Sequence, residues 1–162
     1  MTLAPADESA VAKMWRSYTE ASGTDAELVG SFAFGDTAAL ADKLADLDRH
    51  GPKRATAGLV LDCELGGEPM PRAGDHAVVL SGSGQPVCVI RTTEVRVKPL
   101  READEAFAWD EGEDDRTLTY WRQAHDAYFT RRCAALGVAF SEDLDVVYER
   151  FEVVWPADLW GS

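Results

Sequence analysis

Lys53 and Thr56 stand three residues apart, where the chain changes from helical to extended patterning. Brought into one pocket, the two types suit hydroxyl-dependent hydrolysis. A lysine in an apolar cleft has its pKa depressed by desolvation and can then act as a base or activator. A threonine hydroxyl beside such a base becomes a nucleophile. Each residue also has a plainer reading. Lys53 is a solvated cation past a helix end, where the helix dipole favours it. Thr56 is a β-branched residue opening a strand.

A run of acids lies around Asp110–Asp115, ahead of the long helix. The functional reading of Glu113 is an acid that orients a lysine or handles a proton, and Glu111 is its nearest competitor. Such runs are ordinarily solvated loops. Glu94 follows two threonines on an alternating strand and reads as a wet cross-strand partner. Arg54 reads as surface or phosphate-facing. Tyr120 is open to stacking on a base, whereas Trp121 and His125 fall on the apolar face of a long helix. Arg54, Glu111, Tyr120, His125 and Arg122 are the expected substrate-binding set. Arg54, Arg72, Arg91 and Arg122 are the candidate phosphate contacts.

These residues need elements to position them. Residues 7–22 show a helical stripe of Val11, Met14, Trp15 and Tyr18, with Asp7 or Ser9 as cap. A second helix fits 36–49, capped by Asp36 or Thr37, with Leu40, Ala41, Leu44 and Leu47 inward. Gly51 is expected in a left-handed C′ conformation, and Pro52 forbids continuation. Strands are expected at 57–65, at 76–80, from 86 to 92 with a bend on to 98, and at 146–155. The prolines and glycines of 66–71 form a loop, residues 103–109 a helical turn, and 117–136 a long helix stopped by Gly137. Successive strands joined by short turns argue for antiparallel pairing, hence α+β with a small barrel.

The chain has 162 residues, 46% of them hydrophobic, enough for one compact core without disulfides or metal. Its 29 acidic and 16 basic residues give a net charge of −13, a field that opposes duplex DNA and long RNA. Cys63, Cys88 and Cys133 are scattered singly, as expected of reduced cytoplasmic thiols. The N-terminus does not read as a signal peptide, and no segment approaches membrane-spanning length. No membrane partner, cofactor or metal is expected, and no oligomeric state is assigned.

Gly51-x-Lys53-Arg54-x-Thr56 resembles the G-x-K-x-x-T signature of ASCH domains, relatives of the PUA-like RNA-binding barrels. The resemblance extends in the family's order. It includes Phe34-Gly35-Asp36-Thr37, the segment Gly66-x-Glu68-Pro69-Met70-Pro71-x-x-Gly74-Asp75, and the strand Gly84-x-Pro86-Val87-Cys88-Val89-Ile90-x-Thr92-Thr93-Glu94-Val95. Beyond these come Glu111-Gly112-Glu113-x-Asp115-Arg116-x-Leu118-x-Tyr120-Trp121-Arg122-x-x-His125 and Val147-x-Glu149-Arg150-Phe151.

The resemblance implies an α+β, PUA-like, mixed and mainly antiparallel β-barrel flanked by helices, with an N-terminal helix and a long helix inserted before the last strand. An N-terminal helical extension (1–31) would pack on an ASCH domain (32–156), followed by a tail (157–162). It further implies a cleft beside the lysine turn. Some small ASCH proteins are amidohydrolases that remove the acetyl group from N4-acetylcytidine with a lysine, a threonine and a glutamate. Carried onto this chain, these are Lys53, Thr56 and Glu113. Other members of this longer type are linked to ribonuclease activity. The expected partner is therefore a small nucleoside-like substrate or RNA. Changing Lys53 to alanine is expected to abolish activity and leave folding intact.

Overall fold

In the computed structural model, residues 2–67 and 69–156 are described; the expected tail at 157–162 lies outside them. The first helix, α1 (Glu8–Ser22), begins where the Asp7 side chain accepts from the Ala10 N–H and ends at left-handed Gly23. Strand β1 (Leu28–Phe32) follows, then α2 (Ala38–His50), capped by the Thr37 hydroxyl. Strand β2 (Ala55–Leu59) runs directly into a short helix, α3 (Val60–Gly66). Strands β3 (His76–Leu80) and β4 (Pro86–Pro99) form a hairpin. After one 3₁₀ turn come α4 (Glu105–Glu111), α5 (Leu118–Leu136) and β5 (Asp145–Trp155).

The architecture is mixed α+β: a five-stranded, mostly antiparallel sheet in the order β1-β3-β4-β5-β2, with helices packed on it. The β4–β5 ladder is its spine. Bulges between Val89 and Ile90 and between Thr92 and Glu94 let these long strands bend while staying paired. Three clusters fill the interior. The first joins Ala55, Leu59, Val146 and Tyr148 of the sheet to Phe107, Trp121 and Phe129 of α4 and α5. The second seats Leu44 and Ala45 of α2 on Val79, Ile90 and Phe151, and the third seats α1 on β3 and β4 through Val11 and Tyr18.

Two local expectations are corrected. The extended segment expected over 57–65 stops at Leu59, because the apolar run after it turns helical and Gly67, with φ of 71°, ends that helix. Asp62 in its first turn pairs with Arg132 of α5, which holds the helix against the long one. The pairing is mixed, as the expected fold class has it: β1 runs parallel to β3 and the other pairs are antiparallel. The long connection from β1 through α2, β2 and α3 gives the chain room for that crossover.

Gly51 is extended, with φ of −133°, rather than left-handed. Both its N–H and that of Lys53 donate to the Leu47 carbonyl, at 3.1 and 3.2 Å. A Cβ at Gly51 would stand 3.1 Å from that same oxygen, so glycine serves close approach here, not handedness.

Candidate functional site

Residues from both sheet edges line one cavity of about 380 Å³: Phe32 of β1 with Ala33–Gly35 after it, and Thr56 and Ala57 of β2. Tyr120, Ala124, His125 and Tyr128 of α5 form a third wall, and Lys53, Glu111 and Glu113 complete it. Among the described residues no helix is long and apolar enough to cross a membrane.

Lys53 is delivered by the turn after α2 and is only 1% exposed. Its Nζ donates to the Ala55 carbonyl at 2.7 Å and to Glu113 Oε2 at 3.1 Å, with Glu111 Oε1 at 3.7 Å. The ammonium also stands 4.9 Å from the centroid of the Phe34 ring, a cation–π contact.

Burial is the largest influence on this amine and favours its neutral form. The charges of Glu111, Glu113 and Asp48 together outweigh it, and the pKa is raised. The expectation of a depressed, basic lysine is therefore corrected: Lys53 is a fixed cation. For the same reason Lys53→Ala is expected to cost stability as well as activity, because the change strands two carboxylates.

The acidic segment reaches Lys53 because of Gly112. This residue ends α4 with φ of 68°, and a Cβ there would lie 2.8 Å from Lys53 Cα, Lys53 N and Pro52 C. The Arg54 N–H donates to the Asp110 carbonyl at 2.7 Å, locking the lysine turn to the end of α4. Glu113 follows just beyond and keeps 15% of its side chain exposed.

Glu111 departs from the solvated loop expected for the run, with 2% exposure as part of α4. It accepts from Trp121 Nε1–H and meets His125 Nε2 at 3.1 Å. His125 Nδ1 lies 2.9 Å from the Trp121 carbonyl, which can only accept, so Nδ1 carries a proton. A second proton must then lie between Nε2 and Glu111. The lowered pKa of Glu111 and raised pKa of His125 favour that proton on the imidazole, an imidazolium against a carboxylate, and Lys53 with Glu113 forms a second pair of opposite charges beside it.

Burial opposes both charges of this pair, yet each partner stabilises the other. With Lys53 contributing, Glu111 is held below its ordinary value of about 4.5, while His125 is raised above about 6.5. The lowered carboxyl contributes stability that is present above its unfolded pKa and lost as pH falls. The raised imidazole contributes stability that is full below its unfolded pKa and lost as pH rises. The two overlap between roughly pH 4.5 and 6.5. Glu111→Gln should therefore lose most stability within that window, by about 3–5 kcal/mol, and less toward pH 9. Thermal denaturation across a pH series checks this; a pH-independent deficit contradicts it.

Thr56 lines the cavity, and among the described residues its hydroxyl has no hydrogen-bond partner. Tyr120 also lines it. Two expected substrate-binding residues lie elsewhere. Arg54 points its guanidinium at the carbonyls of Asp48 and Gly51, and Arg122 points at those of Arg101 and Ala103. Both brace the backbone. Glu94 sits opposite Arg150 on β5 and pairs with it at 2.6 Å, as a cross-strand partner.

Asp48 escaped the sequence reading. It is fully buried on α2, and neither carboxylate oxygen has a hydrogen-bond partner among the described residues. Burial pushes its pKa up to about 8 against the pull of Lys53 and Arg54, so it carries its proton at neutral pH. The signal was available: Ala41, Leu44, Ala45 and Asp48 continue one helical stripe inward.

These features define a class, an α+β domain whose lysine–carboxylate cluster closes a cavity between two sheet edges. A family profile described as the ASCH domain matches residues 30–155, and the chain belongs to that family. The crystal structure of an ASCH domain from Lactobacillus crispatus is similar, at 32% identity and a TM-score of 0.85, over 90% of this chain and 94% of that one. So is that of a protein from Enterococcus faecalis, at 30% identity and a TM-score of 0.83, over 90% of this chain and 88% of that one. Among curated proteins, none matches.

Proposed function

We propose that this ASCH protein hydrolyses a small amide-bearing nucleoside of the N4-acetylcytidine type. The observation that carries the reading is the buried Lys53 ammonium, hydrogen-bonded to Glu113 at 3.1 Å on the wall of a cavity that Thr56 also lines. A volume of about 380 Å³ suits one nucleoside-sized ligand.

In this reading Glu113 takes the proton from the nucleophile, the Thr56 hydroxyl or a water, as it attacks the acyl carbonyl. The Lys53 ammonium faces the oxyanion that develops. Collapse of the tetrahedral intermediate breaks the C–N bond, and Glu113 returns its proton to the leaving exocyclic nitrogen. If threonine is the nucleophile, water then releases the acyl group.

The two nucleophiles are separable. With Thr56 as nucleophile, Thr56→Ala should lower kcat by about 10³-fold or more while Thr56→Ser retains measurable turnover. With water as nucleophile, Thr56→Ala should stay within about tenfold of wild type. Acetate release assayed for both variants decides between them. Loss in neither variant would remove Thr56 from the mechanism.

An RNA-binding or ribonucleolytic role in the same cleft needs free cations beside it. Arg54 and Arg122 are occupied with backbone carbonyls, and Arg91 pairs with Glu152 at 3.1 Å. Arg131 lines the cavity but pairs with Asp36. These engagements favour the small-ligand reading. A non-catalytic nucleoside sensor would bind the same ligand without releasing acetate.

A further inference from the structure

Strand β2 is an edge of the sheet, and the way it pairs decides which of its backbone groups face the cavity. The Phe151 N–H donates to the Arg54 carbonyl at 3.0 Å, so Arg54 faces β5. In an antiparallel ladder that orientation alternates. Thr56 and Gly58, opposite Glu149 and Val147, therefore spend their N–H and C=O on β5, while Ala55 and Ala57 turn theirs outward. An independent contact agrees: the Ala55 carbonyl is the one that Lys53 Nζ reaches, at 2.7 Å.

Ala57 lines the cavity, and the alternation turns its N–H and C=O away from β5 toward that cavity. The next outward residue, Leu59, is already the N-cap of α3. Among the described residues of this edge, Ala57 is thus the one whose outward donor and acceptor are both unspent, since Lys53 holds the Ala55 carbonyl and α3 uses that of Leu59. That is too little to add a β-strand and enough for one planar amide. Ala57 lies two residues from Ala55, about 7 Å along the strand from the carbonyl that holds Lys53. A nucleobase-sized group docked there has its substituents within reach of the ammonium.

We propose that the backbone N–H and C=O of Ala57 form the recognition edge for the ligand, pairing with a planar donor–acceptor group such as an acylated nucleobase. This deepens the proposed function and rests on it for the identity of the ligand. Recognition by main chain requires no side chain of particular type at position 57, which is why the sequence carries no mark of it.

The test uses ¹⁵N-labelled full-length protein titrated with N-methylacetamide and, separately, with N4-acetylcytidine. The Ala57 amide resonance should shift saturably with both, and more than those of Thr56 and Gly58, whose N–H groups lie in the ladder. Ala57→Pro removes only an outward donor, which an edge strand tolerates. It should weaken N4-acetylcytidine binding at least tenfold while leaving the melting temperature within a few degrees. An amide-to-ester replacement at residue 57 removes the donor without added bulk and should weaken binding too. Unshifted Ala57 with either probe, or undiminished binding by the ester protein, overturns the inference. Saturable shifts without acetate release uphold this edge and overturn the hydrolase reading instead.

Discussion

Lys53→Ala is expected to lose both the reaction and much of the stability. In the proposed mechanism the change deletes the cation facing the developing oxyanion, and it leaves Glu111 and Glu113 without their ammonium partner. Removing one partner of a buried ion pair costs about 3–5 kcal/mol. For a domain of this size that lowers the melting temperature by roughly 10 °C. Turnover of an acylated cytidine should fall by about 10²–10³-fold, the range for a single oxyanion-stabilising group.

Loss of activity through unfolding is separated from loss of chemistry by a compensated variant. Lys53→Met combined with Glu113→Gln removes both charges of the closer pair and should recover stability over Lys53→Ala. It should remain inactive, since it has neither the cation nor the base. A Lys53→Ala protein with wild-type melting temperature would contradict the buried charge network. One that hydrolyses acylated cytidine at the wild-type rate would contradict the catalytic assignment.

Gly112→Ala is the second large effect, and it acts without touching a charge. The new Cβ must enter space held by the Lys53 and Pro52 backbone, at 2.8 Å, in a left-handed conformation with φ of 68°. The conformation alone costs about 1–2 kcal/mol. Backbone atoms cannot yield as a flexible side chain does, so Glu111 and Glu113 must move away from the ammonium. A displacement of about 1 Å is enough to cost roughly 10²-fold in rate.

Gly137→Ala is the control. Gly137 ends α5 with φ of 74°, yet an added Cβ there meets nothing within 4 Å. It should cost about 1–2 kcal/mol from conformation and leave turnover unchanged. Equal activity in the two variants, measured at a temperature where both are folded, would contradict the role given to Gly112.

Much of the fold was legible because the helices obey local rules. The stripe of Val11 and Tyr18 and the cap at Thr37 follow from spacing and from side chains that satisfy free N–H groups. The expectation failed where tertiary contacts overrode a local pattern. Leu59-Val60-Leu61 reads as continuing strand, but α3 forms there and its Asp62 meets Arg132, 70 residues away. The parallel pairing of β1 with β3 depends on a crossover that no short window reveals.

The candidate site was legible as residue types more than as physical states. Lys53 was picked out by its motif, but the sign of its pKa shift depends on three carboxyl groups that converge only in the fold. Glu111 looked like one acid among several in a wet run. Its burial follows from the reach of α4 to residue 111 and from the indole of Trp121 and imidazole of His125 beneath it. Arg54 looked poised for phosphate, but carbonyl oxygens near its own turn take its guanidinium.

The central claim, an amidohydrolase site built on Lys53 and Glu113, meets its most direct test in one product assay. Purified protein is incubated with N4-acetylcytidine at neutral pH, and cytidine and acetate are separated and quantified against time. Stoichiometric release of cytidine and acetate over many turnovers is the expected result, with Lys53→Met/Glu113→Gln at background. Intact N4-acetylcytidine after prolonged incubation with folded wild-type protein, or equal release by the double variant, would contradict it.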